Sequence, residues 1–268
     1  MNTRENVQFG SMEHQRYWAQ KFVHRTRPDF SNPKFVFSKE QRRSLRRRLA
    51  FLYGTAEAEQ WLPEVERICQ VHHAHKPLEM VAHEQALDPL ERFTEEDVIL
   101  ITYGDLLQGG DRSPLKTLSK FCGLQLEGCI NTLHILPFFP YSSDRGFAVI
   151  DFDSVDPRLG TWADIEDLER RYQLMFDGVI NHVSSQSRWF QEFLNGHPHY
   201  RSYFVSFEDP EDLDPEERSL IFRPRTSEVL TPFATLDGQR YVWTTFSRDQ
   251  VDLNYQNPEV LIRVLEVL

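Results

Sequence analysis

Three apolar runs, each ending in polar residues, constrain the fold of this chain most. They are DVILITYGD (97–105), INTLHILPFFP (130–140) and QLMFDGVINH (173–182). Each is nearly continuous in Ile, Leu, Val or Phe over a strand's length, the pattern of a strand buried on both faces. Between them lie PLKTLSKFCGLQLEGC, which reads as helix and turn, and TWADIEDLERRY, an amphipathic helix with Thr161 or Asp164 near its start. Strands alternating with helices at this spacing predict βαβ units and a parallel sheet, with strands near 98–103, 131–137 and 173–180.

Polar residues gather at the end of each run. Tyr103 and Asp105 close the first, Pro140, Ser142, Ser143 and Asp144 follow the second, and Asp177, Asn181 and His182 end the third. In a (β/α)8 barrel the carboxyl ends of the strands build the active site. A single such cluster is explained by loops hydrogen-bonding one another; three in succession point to a site.

The flanks differ in texture. Residues 1–96 read as a helical N-terminal extension. Ser38 and Gln41 form a capping box, and Leu45, Leu49 and Leu52 make an apolar stripe that Gly54 ends. Trp61, Val65 and Ile68 make a second stripe. Arg46, Arg47 and Arg48 read as a solvated face, and His72, His73 and His75 as a polar helix end, without metal-ligand spacing. Residues 97–183 are the first part of the barrel, 184–249 a domain inserted after its third strand, and 250–268 the return to the barrel. Within the insert, FEDPEDLDPEER is an acidic, solvated loop and RYVWTTF a strand; beyond it, NPEVLIRVLEVL is a helix opened by Pro258.

A formal charge of −11 argues against a nucleic-acid partner. The three cysteines, Cys69, Cys122 and Cys129, read as free thiols in a reducing compartment. Neither a membrane-length apolar run nor a signal-peptide core is present in the 268 residues, so a soluble, cytoplasmic protein without a membrane partner is expected.

The residues also carry a resemblance. DGVINH and QVDLN (250–254) resemble two short motifs of the α-amylase clan of glycoside hydrolases (family 13). HILPFFPYSSDRGFAVIDF, LGTWADIEDL, RPRTSEVLTPF and VWTTFSRDQVDLNYQNPEVL resemble the sucrose phosphorylase subfamily within it, over roughly residues 98–268. The helical extension, with LYG inside it, resembles the glucosylglycerate phosphorylase branch.

The resemblance implies an α/β fold: a partial (β/α)8 TIM barrel, its first three strands present, with an inserted loop domain and the helical extension. It implies retaining α-glucosyl transfer to phosphate. One carboxylate forms a covalent glucosyl intermediate, a second acid protonates the leaving group, and phosphate takes the sugar. The partners are then a small α-glucoside and inorganic phosphate as co-substrate, with no cofactor and no metal. Asp144 would accept glucose hydroxyls, Phe147 would form an apolar platform, His182 would donate to the same ring, and Arg225 would meet phosphate or the leaving group. Each has a plainer alternative: a loop cap, core packing, a satisfied strand-end histidine and a surface ion pair. Asp177 and Asn181 would support the loop rather than touch substrate. Arg145 departs from the commoner acidic or small residue after the Asp and changes the local charge. Neither the nucleophile nor the acid can be placed in the 268 residues, so no catalytic residue is assigned and the chain by itself is expected to be inactive. The alternatives are a carbohydrate-binding fragment or relic without catalysis, or an α-glucoside hydrolase of the same clan.

Overall fold

The computed structural model describes residues 30, 34–86, 94–222 and 226–268. The chain divides into two compact units, 1–90 and 91–268.

In the first unit, α1 (Lys39–Tyr53), α2 (Thr55–His75) and α3 (Leu78–Ala86) follow one another. The box at the start of α1 is reciprocal: Ser38 Oγ accepts Gln41 N–H at 3.1 Å, and Gln41 Oε1 accepts Ser38 N–H at 2.9 Å. Gly54, at φ 85°, ends α1 and precedes the first residue of α2. Leu49 of α1 and Ala58, Leu62 and Val65 of α2 are buried. The stripe expected on α1 stops there, because Leu52 is 60% exposed on the last turn. One member of the basic face, Arg46, reaches Glu59 of α2 at 3.0 Å, and Arg42, one turn earlier, reaches Glu66 at 2.5 Å.

In the second unit, β1 (Ile99–Thr102), β2 (Thr132–Ile135) and β3 (Gln173–Phe176) form one parallel sheet in the order β1-β2-β3. α4 (Pro114–Gln125) and α5 (Trp162–Glu169) make the two crossovers. Ser113 caps α4, and the Asp164 carboxylate reaches back to the Thr161 N–H at 2.8 Å at the start of α5. Leu115, Leu118 and Cys122 of α4 and Ile165 and Leu168 of α5 pack on Leu133 and Ile135 of the sheet. A fully buried Leu or Ile contributes roughly 1.5–3 kcal/mol, so this layer holds the sheet to its helices. The opposite sheet face leaves Ile99, Ile101 and Met175 exposed.

The third apolar run does not remain a strand to 180. It leaves the sheet after Phe176, passes through Gly178, and resumes as β4 (His182–Ser184). β4 pairs antiparallel with the distant β8 (Gln250–Asp252), Ser184 opposite Gln250 and His182 opposite Asp252. Between them lie α6 (Arg188–Leu194), β5 (Ser206–Phe207), α7 (Pro215–Leu220), β6 (Leu230–Thr235) and β7 (Gly238–Trp243), and α8 (Pro258–Val267) follows β8. β5, β7 and β6 form an antiparallel sheet. A second core of Val183, Phe190, Phe193, Tyr203 and Phe204 joins this region to Val251 and to Val260 and Val264 of α8.

The acidic stretch is not a plain loop. Asp209 and Asp214 accept backbone N–H groups and cap a 3-10 turn (Pro210–Asp212) and α7. Aspartate at an N-cap satisfies otherwise unpaired donors and places negative charge at the favourable helix end.

Candidate functional site

The parallel register places the carboxyl ends of the three strands side by side: Thr102 is opposite Ile135, and Ile135 opposite Phe176. The segments after them, with Tyr103, Asp144 and Asp177, therefore leave the same edge of the sheet.

After β2 the chain folds back on itself. Ser142 N–H donates to the Ala148 carbonyl at 3.1 Å, Ile150 N–H donates to the Pro140 carbonyl at 2.8 Å, and Tyr141 bridges Val149. The tip is left-handed over three residues: Asp144 at φ 55°, Arg145 at φ 51° and Gly146 at φ 109°. A left-handed conformation costs an ordinary L-residue roughly 1–2 kcal/mol, and aspartate tolerates it better than most. Gly146 is obligatory here, because a Cβ would run into the Pro137 carbonyl oxygen and stand 2.9 Å from the Pro137 Cβ. Strained turns persist where the surroundings over-determine them, and they concentrate at functional sites.

Three segments converge on this tip. Gln250 Nε2 of β8 donates to Asp144 Oδ2 at 3.1 Å and lies 3.2 Å from His182 Nε2 of β4. His182 Nε2 is 3.0 Å from the Phe147 carbonyl oxygen. That oxygen can only accept, so Nε2 carries the hydrogen and Nδ1 is left to accept from the Asn181 amide at 3.3 Å. The Gln250 amide then touches the imidazole without bonding to it. Ser247 Oγ, 2.9 Å from Gln250 Oε1, fixes the orientation of that amide. His182 and Gln250 are both buried. Burial lowers the His182 pKa, opposed by the Phe147 carbonyl and by the Asp252 and Asp144 carboxylates. A neutral imidazole matches the tautomer that the hydrogen bonds require.

The supporting residues are tied down. Asn181 Nδ2 lies 3.3 Å from Asp252 Oδ2, and Asp252 also accepts the Thr245 N–H at 3.0 Å and its hydroxyl at 2.5 Å. Asp177 Oδ2 sits 3.0 Å from His134 Nε2 of β2. Arg145 lies over the Tyr103 ring at 4.1 Å and 3.7 Å from Asp105, so the tips of the first two strands meet through it. Phe147 contributes its carbonyl to the cluster, while the ring against His182 is that of Phe246, at 5.1 Å between centroids. Arg225, with Arg223 and Pro224, lies outside the described residues.

Of the residues read from sequence, Asp144, Phe147, His182 and Asn181 are brought together; Asp177 instead faces His134. Gln250 and Phe246 were missed. Both stand within the segment quoted for its resemblance, but nothing in their spacing marks them until β8 is paired with β4. A separate polar cleft lies around Phe193, Arg201, Asp237 and Arg240 and shares no lining residue with this cluster.

Residues 127–268, just over half of the chain, match the alpha-amylase catalytic domain. The chain belongs to the alpha-amylase family. Within that family it is similar to glucosylglycerate phosphorylase of Allomeiothermus silvanus, with 44% identity over 229 residues, covering 85% of this chain and 38% of that protein. It is 36% identical to sucrose phosphorylase of Agrobacterium vitis over 60% of this chain and 34% of that protein. The solved structure of sucrose 6F-phosphate phosphorylase from Thermoanaerobacter thermosaccharolyticum superposes with a TM-score of 0.59 at 33% identity, covering 66% of this chain and 38% of that one. The chain thus spans less than two fifths of the length of these alpha-amylase family relatives. The parallel sheet with its crossover helices agrees with the start of an α/β barrel.

Proposed function

We propose that this chain carries the glucose-binding part of a retaining α-glucoside phosphorylase, of the kind that moves a glucosyl group to phosphate. The observation that carries the reading is the convergence of the Asp144 carboxylate, the Gln250 amide and the His182 imidazole from three separate segments. Together they gather a carboxylate acceptor and two N–H groups, directed here at the Asp144 carboxylate and the Phe147 carbonyl, which neighbouring hydroxyls of one sugar ring would engage by exchanging those partners. Phe147 and Phe246 supply apolar surface beside that set. Asp177 and Asn181 keep the segment rigid through His134 and Asp252. The phosphorylase relatives favour phosphate over water as the glucosyl acceptor, and Arg225 is the cation proposed to receive it or the leaving group. No metal or cofactor enters this reading.

The segment 184–249 is proposed as the inserted domain over the barrel mouth, and the exposed face of the parallel sheet as part of the barrel interior. The 268 residues by themselves hold the ring and do not turn it over, because retention needs a closely spaced nucleophile and acid, and neither is assigned in them.

The test is calorimetric titration of the chain with sucrose and with glucosylglycerate, with and without phosphate, alongside a glucose 1-phosphate assay. Wild type is expected to bind one of these glucosides, and Asp144→Ala to weaken binding about tenfold or more, the effect of losing a charge-assisted hydrogen bond. Equal affinity in the two proteins, or no binding by wild type, refutes the binding-site assignment. Glucose 1-phosphate above the blank refutes the inactivity of the isolated chain.

A further inference from the structure

Asp249 precedes Gln250 and has no place in the reading above, yet serines from two segments turn toward it. Ser142 Oγ and Ser143 Oγ each lie 2.5 Å from its Oδ2, and Ser185 Oγ lies 2.6 Å from its Oδ1. Ser184 Oγ stands 2.5 Å from Ser142 Oγ and accepts the Gln186 N–H at 2.9 Å. A carboxylate only accepts, so the hydroxyl directions follow. Ser142 donates to Asp249, Ser184 therefore donates to Ser142, and the Gln186 N–H donates to Ser184. The backbone repeats the link, with Ser185 N–H donating to the Asp249 carbonyl at 2.8 Å.

The geometry places two adjacent grips on one strained turn. Asp249 holds the side chains of Ser142 and Ser143, and Gln250 holds the side chain of Asp144. Ser143 is the extended residue from which the left-handed Asp144–Arg145–Gly146 tip begins. Neither Asp144 nor Arg145 is favoured there by its own backbone. Hydrogen bonds to a carboxylate are about twice as strong as neutral ones, and here three converge.

We propose that Asp249 is a positioning residue: by accepting the Ser142, Ser143 and Ser185 hydroxyls it holds the Asp144 turn in its left-handed form, so that the Asp144 carboxylate faces its ligand. The ligand-binding clause rests on the function proposed above; the positioning clause stands without it.

The probe is tryptic cleavage of the Arg145–Gly146 bond in the 268-residue chain, located by mass spectrometry. Arg145 is 66% exposed, and cutting after it requires the turn to open. Asp249→Asn keeps the side-chain shape and loses carboxylate acceptor capacity. Cleavage at this bond is expected to quicken about tenfold or more, with other sites unchanged and with partial return to the slow rate in Asp249→Glu. Unchanged cleavage in Asp249→Asn overturns the proposal. If Asp249→Asn is cut everywhere, the double variant Ser143→Ala, Ser185→Ala decides, since selective cleavage at Arg145 is expected there and its absence overturns the proposal. Glucoside affinity measured on the same proteins is expected to fall in step with the opening; selective opening with undiminished affinity overturns the ligand-facing part. A wild type that binds neither sucrose nor glucosylglycerate sinks the function proposed above, while the cleavage comparison still decides the positioning.

Discussion

Gly146→Ala separates steric from conformational cost at the turn that carries Asp144. Gly146 is buried at φ 109°, where an alanine is strained by roughly 1–2 kcal/mol. Its new Cβ would also meet the Pro137 carbonyl oxygen, with the Pro137 Cβ at 2.9 Å. That obstacle is backbone and a ring, not the free end of a flexible side chain, so an overpacking cost of about 1–3 kcal/mol adds to the strain. Gly128→Ala is the control. Gly128 is also left-handed, at φ 73°, but a methyl group there would meet no atom of the described residues within 4 Å. Both changes remove the same backbone freedom from the unfolded chain, so that contribution cancels. The expected outcome is a loss of about 2–5 kcal/mol for Gly146→Ala against about 1–2 kcal/mol for Gly128→Ala. Urea unfolding followed by tryptophan fluorescence reads both, with the slopes checked for equality so that the midpoints measure stability. Equal losses would refute the close approach to Pro137 and, with it, the account of why this turn needs glycine.

Three further outcomes are expected. His182 has a pKa lowered mainly by burial, so below its ordinary value of about 6.5 the unfolded chain binds more protons than the folded one, and stability falls as pH falls through that window. Denaturation midpoints across pH 5–8 should therefore drop less toward acid in His182→Gln than in wild type; parallel curves count against the buried neutral imidazole. Glu259 has a pKa raised by burial and acts in the opposite sense as pH rises above the ordinary glutamate range, which is why the comparison is between variants and not of one curve. Asp164→Ala removes the acceptor of the Thr161 N–H and hydroxyl, 2.8 and 3.2 Å away, and should cost about 1–2 kcal/mol in the same urea assay; no loss would mean the cap contributes nothing. Ser38→Ala breaks the capping box of α1 and should reduce the helical circular-dichroism signal on mild heating, by a cap's worth of about 1 kcal/mol, with no change in glucoside affinity.

The parallel sheet was legible because its signals are local. Nearly continuous apolar runs, two crossover helices and the Thr161–Asp164 start of the second all lie within a few residues of the elements they specify. Asp144 and His182 could be singled out because they stand in polar clusters at strand ends and also fall within the motifs that carry the family resemblance. The rest of the cluster depends on long-range pairing. Gln250 becomes a site residue only when three residues of β8 lie against three residues of β4, and three-residue strands leave too little alternation to read. The same pairing draws His182 out of the third apolar run, which is why that run looks longer in sequence than β3 is in space. The left-handed Asp144 and Arg145 were invisible for a different reason: their backbone is set by Gly146 against Pro137 and by contacts to residues far along the chain, not by their own preferences. Leu52 shows the converse, an apolar residue in phase with its helix that stays 60% exposed on the last turn.

The contact between Asp144 and Gln250 spans 106 residues, and that between His182 and Gln250 spans 68. Closing loops of this length forfeits chain entropy before any contact rewards it. The parallel sheet and its helices need only near neighbours and can collapse as soon as they leave the ribosome. The recognition cluster cannot, because its central amide has not yet been synthesised when Asp144 and His182 emerge. At about 5–20 residues per second, synthesis of the 68 residues that separate Gln250 from His182 takes seconds. The cluster of Asp144, His182 and Gln250 is thus completed late, when β8 arrives to pair with β4.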